Sequence, residues 1–157
     1  MGNKNFSVSK LIKSPPQIVY SIIADYNVGH PEILPKPPFI SLDVEKGGVG
    51  EGTEMVVKME MFSKVLTYRA VVTEPEPGKT LIETTDTGFI TTFSVNPENE
   101  GKSSFVTFTT ETADSRSIIK KIEFFLISNL LKPVYTKELE SLAETSLKKA
   151  HTVRMSK

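Results

Sequence analysis

The chain has no cysteine, only two histidines and no excess of either charge. Without cysteine there is no disulfide, no thiolate nucleophile and no cysteine-bound zinc or iron–sulfur centre. Two histidines are too few for a histidine-rich metal site, and the expectation is of no metal and no cofactor. Lysine plus arginine total 19 and aspartate plus glutamate total 19, which leaves no general field to attract nucleic acid or an anionic membrane. Long hydrophobic runs are also missing. The most apolar stretch, residues 124–131, is far below the ~18 uncharged residues of a membrane span, with Lys120, Lys121 and Glu123 just ahead of it. The first six residues lack the apolar centre and cleavage site of a secretory signal. Gly2 is followed by Phe6 where a myristoylation motif wants Ser or Thr, and the sequon Asn5-Phe6-Ser7 matters only in a secretory compartment. The expectation is a cytoplasmic protein without stable membrane insertion.

What is present suits one globular domain. A chain of 157 residues, 38% of them hydrophobic, can bury a core without staples, and no repeat or linker divides residues 1–157. Phe6, Val8 and Ile12 alternate with polar residues as in a strand. Ser14-Pro15-Pro16-Gln17 reads as a helix start, with Ser14 as cap and Gln17 reaching back, and Ile18, Val19, Ile22 and Ile23 follow at helical spacing. Residues 30–35 suggest a second, very short helix, after which prolines at 35, 37 and 38 favour extended chain.

Residues 39–112 read as strands and turns. Met55, Val57, Met59 and Met61 alternate with Glu54, Lys58 and Glu60, giving one apolar and one wet face. Five more alternating segments surround this one, separated by short turns at residues 47–52, 76–79 and 96–101, the pattern of an antiparallel meander. A single helix is expected over residues 117–150, with Ile118, Ile122, Phe125, Leu126, Leu130, Val134, Leu139, Leu142 and Leu147 as its apolar stripe. Pro133 should kink or split it, because proline lacks an N–H donor and clashes with the preceding turn. A curved sheet needs a cover for its concave face, and this stripe is long enough to provide it. With the short helices closing one end, the layers enclose an apolar pocket.

Several segments carry a resemblance: Ile12-Lys13-Ser14-Pro15-Pro16-Gln17-Ile18-Val19-Tyr20, Ala24-Asp25-Tyr26, Pro31-Glu32-Ile33-Leu34-Pro35, the turn Gly48-Val49-Gly50-Glu51-Gly52-Thr53 and the strand end Val72-Thr73-Glu74-Pro75-Glu76-Pro77-Gly78. Over essentially its whole length the chain resembles a polyketide cyclase/dehydrase-like or lipid-transport protein of the START-related helix-grip (SRPBCC) superfamily. The resemblance implies an α+β helix-grip fold, in which a strongly curved antiparallel sheet of about seven strands wraps around a long C-terminal helix, with two short N-terminal helices. It also implies an interior that holds a hydrophobic molecule. Fold-level likeness gives a class of function and no more.

Candidate pocket residues follow from side-chain parity. Met55, Val57 and Met59 are most simply ordinary core; the functional alternative is a wall of the deformable kind that methionine provides, with Phe93, Phe108 and Phe125 facing it. Among polar residues, Tyr68 shares a face with Leu66, Glu83 with Leu81, and Thr91 and Thr110 join them; a carboxyl and a phenol there would orient a ligand or move a proton. The commoner fate of a residue such as Glu83 is a strand end in water, and Arg69 should point outward. His30, ahead of Pro31 at a helix start, reads better as a cap or surface residue than as a base, and His151 belongs to a solvated basic helix end. The glycine-rich turn lacks the strand–loop–helix context and the lysine of a phosphate loop and fits a hairpin at the pocket mouth.

The expected function is non-enzymatic binding or transport of a lipid, isoprenoid or polyketide-like molecule, with a hydrophobic small molecule as partner and no nucleic acid. Alternatives are a cyclase or dehydratase using Glu83 or Tyr68, and a chaperone- or ribosome-associated interaction module.

Overall fold

The computed structural model describes residues 5–112 and 118–155. Strand β1 (Asn5–Ile12) leads into helices α1 (Pro16–Ala24) and α2 (Gly29–Ile33). Strands β2 (Phe39–Lys46), β3 (Glu54–Met61), β4 (Lys64–Glu76), β5 (Thr80–Thr85), β6 (Phe89–Glu98) and β7 (Ser103–Thr112) follow, then helix α3 (Ile118–Met155). The seven strands form one antiparallel sheet in the order β1-β7-β6-β5-β4-β3-β2, so only the β1–β7 pairing is non-local. Shifts of register in β2–β3 and β4–β5 supply the local bends by which such a sheet curls around a helix. This is the helix-grip architecture expected from the element order.

Alternation sorts the strands into faces. Met55, Val57 and Met59 on β3, Ala70 and Val72 on β4, Leu81 on β5, Phe93 and Val95 on β6, and Val106 and Phe108 on β7 are all buried on the concave side. They meet Leu139 and Leu142 of α3 and Val19, Ile22 and Ile23 of α1 in one core. Fully burying each of these side chains other than Ala70 contributes roughly 1.5–3 kcal/mol.

Several local expectations change. Helix α1 starts at Pro16 after Pro15, with no side-chain cap. Ser14 is buried instead: its hydroxyl donates to the Ser146 carbonyl of α3 at 3.4 Å, and its carbonyl accepts from Ser104 Oγ at 2.7 Å. Residues 36–38 form a turn rather than extended chain, closed by a hydrogen bond from the Phe39 N–H to the Pro35 carbonyl. Helix α3 runs unbroken through Pro133, so the proline does not split it.

Its apolar stripe holds the expected Val134, Leu139 and Leu142 and departs from expectation around them. Phe124, Leu131, Val134, Tyr135, Leu139 and Leu142 are buried, whereas Phe125, Leu126 and Leu147 face solvent. The expected members Ile118 and Ile122 lie outside the described side chains, and Ser117 outside the described residues. No helix among the described residues is long and apolar enough to cross a membrane.

The glycine-rich turn is a docking element for α1. The Gly48 carbonyl accepts from the Tyr26 N–H at 2.8 Å, and the Gly50 N–H donates to the Ala24 carbonyl at 2.9 Å. Gly48 has φ of +133° and lies so close to Asn27 that a Cβ would collide with it. Glu74 reinforces the joint by accepting from Tyr20 OH at 2.6 Å and from the Glu51 N–H at 2.7 Å.

Candidate functional site

Sheet and helix do not meet everywhere. Near Leu139 and Leu142 they are packed solid; toward Ile127 and Leu131 they diverge around a hollow with an interior of about 90 Å³ that opens at a mouth. Leu34, Phe39, Met55, Val57, Met59, Met61, Phe89 and Phe93 make its walls chiefly apolar. The half-buried or exposed lining residues Met61, Leu66, Thr85, Thr87 and Ile127 mark the mouth, between the β3–β4 and β5–β6 turns and α3. The glycine-rich turn contributes no lining residue, contrary to its expected place at the mouth, because its backbone is committed to α1.

One rung of the sheet gives the inner surface its polarity. Glu83 pairs with Thr91 across β5–β6, and Thr91 with Thr110 across β6–β7. Period-two alternation points all three inward. Thr91 Oγ1 lies 2.8 Å from Thr110 Oγ1, which lies 2.8 Å from the Tyr135 hydroxyl on α3. Tyr135 and Glu138, three residues apart on α3, share the helix face turned toward this rung.

His30 joins the two layers. It sits in α2, whose Gly29 packs so tightly on α1 that a Cβ would stand 2.7 Å from the Ile22 carbonyl oxygen. That close approach brings His30 inside, 3% exposed, rather than to the surface position expected from its place before Pro31. Its Nδ1–H donates to the Ile23 carbonyl at 2.7 Å, so Nε2 is the nitrogen turned to the cavity. Nε2 stands 3.7 Å from Glu83 Oε1 and 3.8 Å from Glu138 Oε1. Tyr26 stacks on the imidazole with ring centroids 4.5 Å apart, and Phe93 meets it edge-on at 5.5 Å. The Tyr26 hydroxyl donates to Glu83 Oε1 at 2.6 Å.

This environment resists charge. Burial lifts the Glu83 carboxyl above its ordinary pKa, and the His30 ring and the Tyr26 hydrogen bond draw it partly back. Burial, followed by the neighbouring charge of Glu83, raises Glu138 well above the usual carboxyl range. Tyr68 is likewise raised well above a normal phenol, first by burial and then by Glu83. Burial thus favours the protonated form of both carboxyls at the inner end, beside several hydroxyl donors.

Of the residues expected here, Met55, Val57, Met59, Tyr68, Glu83, Thr91 and Phe93 line the hollow, and Thr110 joins them. Phe108 does not: it is fully buried behind Phe93, edge-on at 4.7 Å, and supports the wall. Phe125 is 63% exposed on the outer face of α3 and contributes nothing to the lining, a correction that follows from the stripe's departure there from expectation. Arg69 points outward as expected and pairs with Glu45. Sequence reasoning passed over Tyr26, Tyr135 and Glu138. Glu138 left a signal, since it falls at core spacing between Val134, Tyr135, Leu139 and Leu142.

Comparison with known proteins agrees with this architecture. Residues 4–146 match the model of the family described as polyketide cyclase / dehydrase and lipid transport. The KanY protein shares 25% identity, covering 92% of this chain and 97% of its own, with a TM-score of 0.77. A protein from Thermus thermophilus shares 19% over 94% of this chain and 99% of its own, with a TM-score of 0.73. An aromatase/cyclase from a Streptomyces species shares only 9% over 94% and 96%, yet superposes with a TM-score of 0.72. The last two likenesses concern the fold alone. No curated protein sequence matches the chain at a significant level.

Proposed function

Because the chain belongs to the polyketide cyclase/dehydrase and lipid-transport family, we propose that it binds or carries one hydrophobic small molecule, of lipid, isoprenoid or polyketide-like character, in the hollow between sheet and α3. The observation that supports this reading is the cavity: an apolar space, open at its mouth, with a few polar groups gathered at its inner end, the arrangement of a small-molecule site. Burial of ligand surface would supply the affinity, at about 25 cal/mol per Å² removed from water. Tyr68, Glu83 and Thr91 would set orientation.

The test is native mass spectrometry and fluorescent-lipid displacement across a varied library of hydrophobic compounds. The expected result is a one-to-one complex that is lost when Met59→Trp fills the space. Absence of any stoichiometric ligand across the library contradicts the proposal.

The contacts among Glu83, Tyr26, His30 and Glu138 favour a second reading, acid–base catalysis of cyclisation or dehydration. A carboxyl whose pKa is lifted by burial keeps its proton to higher pH than a free one, which suits it to act as an acid. In this reading Glu83→Gln stops turnover of a polyketide-type substrate while the substrate still binds. Undiminished turnover by Glu83→Gln excludes Glu83 as the acid–base group.

A further inference from the structure

The polar end of the hollow is unusual in its charge. Glu83 from the sheet and Glu138 from α3 direct carboxyl oxygens toward the same His30 nitrogen, at 3.7 and 3.8 Å. The Glu138 side chain is 2% exposed and lines the cavity, yet it makes no hydrogen bond among the described residues. No lysine or arginine lines the hollow among those residues. His30, the basic group present, already lies between both carboxyls, and its other nitrogen is held by the Ile23 carbonyl.

We propose that the inner end of this hollow selects an apolar ligand bearing a protonated amine, which settles between Glu83 and Glu138, and that it rejects ligand carboxylates and phosphates. The proposal rests on the reading of the hollow as a binding site and adds the charge of its occupant. An anionic headgroup would meet two buried carboxyls and no free cation, an arrangement that costs far more in an apolar site than in water. An ammonium group has the opposite balance. It supplies up to three N–H donors to Glu138, which accepts none among the described residues, and to Glu83 beside its Tyr26 hydrogen bond, and charge-assisted hydrogen bonds of this kind are the strong ones.

Proton bookkeeping provides a separate signature. The groups facing the site are Glu83 on β5, Glu138 and Tyr135 on α3, His30 on α2, Tyr68 on β4 and Tyr26 after α1. In the empty site burial and mutual repulsion favour a proton on the carboxyl pair. An arriving ammonium removes the reason to keep it, so the ligand remains protonated while the protein releases a proton to solvent.

The experiment is isothermal titration calorimetry of the full chain in two buffers of different ionisation heat, with naphthylethylamine, naphthylethanol and naphthylacetate as matched probes. The amine is expected to bind at least about tenfold tighter than naphthylacetate, with net release of protons rather than uptake. In Glu138→Gln and Glu83→Gln, both checked for folding by circular dichroism, the release disappears and the advantage of the amine over naphthylethanol shrinks below about threefold. Naphthylacetate binding as tightly as the amine, or an amine advantage untouched by either substitution, overturns the proposal. Binding of naphthylethanol without the amine overturns it and leaves the cavity reading intact. Failure of every probe, together with an empty result from the hydrophobic library, removes both.

Discussion

Glu138 occupies a helix face otherwise built from Leu131, Val134, Leu139 and Leu142. A carboxyl there must either lose its charge or be buried with it, and both options weaken the fold. The sign follows from linkage. The folded pKa of Glu138 lies above that of the unfolded chain, so its contribution to stability is intact below the ordinary carboxyl pKa and is lost as pH rises through the folded value. Glu83 acts in the same direction. Thermal melts as pH rises above the ordinary carboxyl pKa should therefore show stability declining with pH. Glu138→Gln should flatten that slope, each pKa unit removed being worth about 1.4 kcal/mol. Parallel slopes in the two proteins would contradict this account.

At the same scale, legibility from sequence is uneven. Simple strand parity places Tyr68, Glu83 and Thr91, because an inward partner such as Leu81 sits two positions away. The cluster around Glu83 is not legible, since its members come from four separate parts of the chain. No local spacing encodes a carboxyl pair formed between a strand and a helix. Sequence reading misplaces His30 because the close Gly29–Ile22 approach that carries it inside is a tertiary contact.

Among the elements, α3 shows how periodicity fixes existence without fixing phase. Its existence follows from long helical spacing, whereas its continuity through Pro133 and its run to Met155 do not. Phe124-Phe125-Leu126-Ile127, however, is apolar at four successive positions, so the pattern there is compatible with any rotation. The sheet resolves the ambiguity by taking Phe124 and leaving Phe125 and Leu126 outside. Phe124 holds its position through ring contacts with Phe6 at 5.9 Å and Phe89 at 6.3 Å. Chemical denaturation provides the check. Phe125→Ser should change stability by no more than about 0.5 kcal/mol. Leu142→Ala, which opens a void in the solid half of the core, should cost about 2–5 kcal/mol. A large loss from Phe125→Ser would mean that the stripe has the phase first read from sequence.

For the whole molecule, the decisive feature is that the two layers separate along α3, solid at Leu142 and open at Ile127. Strand count, helix order and the antiparallel meander are all readable from turns and alternation. The width of the gap is not, because it depends on curvature distributed over register shifts in β2–β3 and β4–β5 and on which helix face turns inward. The methionines sample that gap conveniently: Met55, Met59 and Met61 line it, while Met155 is exposed at the end of α3. Methyl-labelled methionine NMR during titration with a ligand found by library screening reads the interior directly. The account predicts that the Met55, Met59 and Met61 methyl signals shift together and saturate at one equivalent, with Met155 unmoved. Saturable binding that leaves those three signals in place would contradict it.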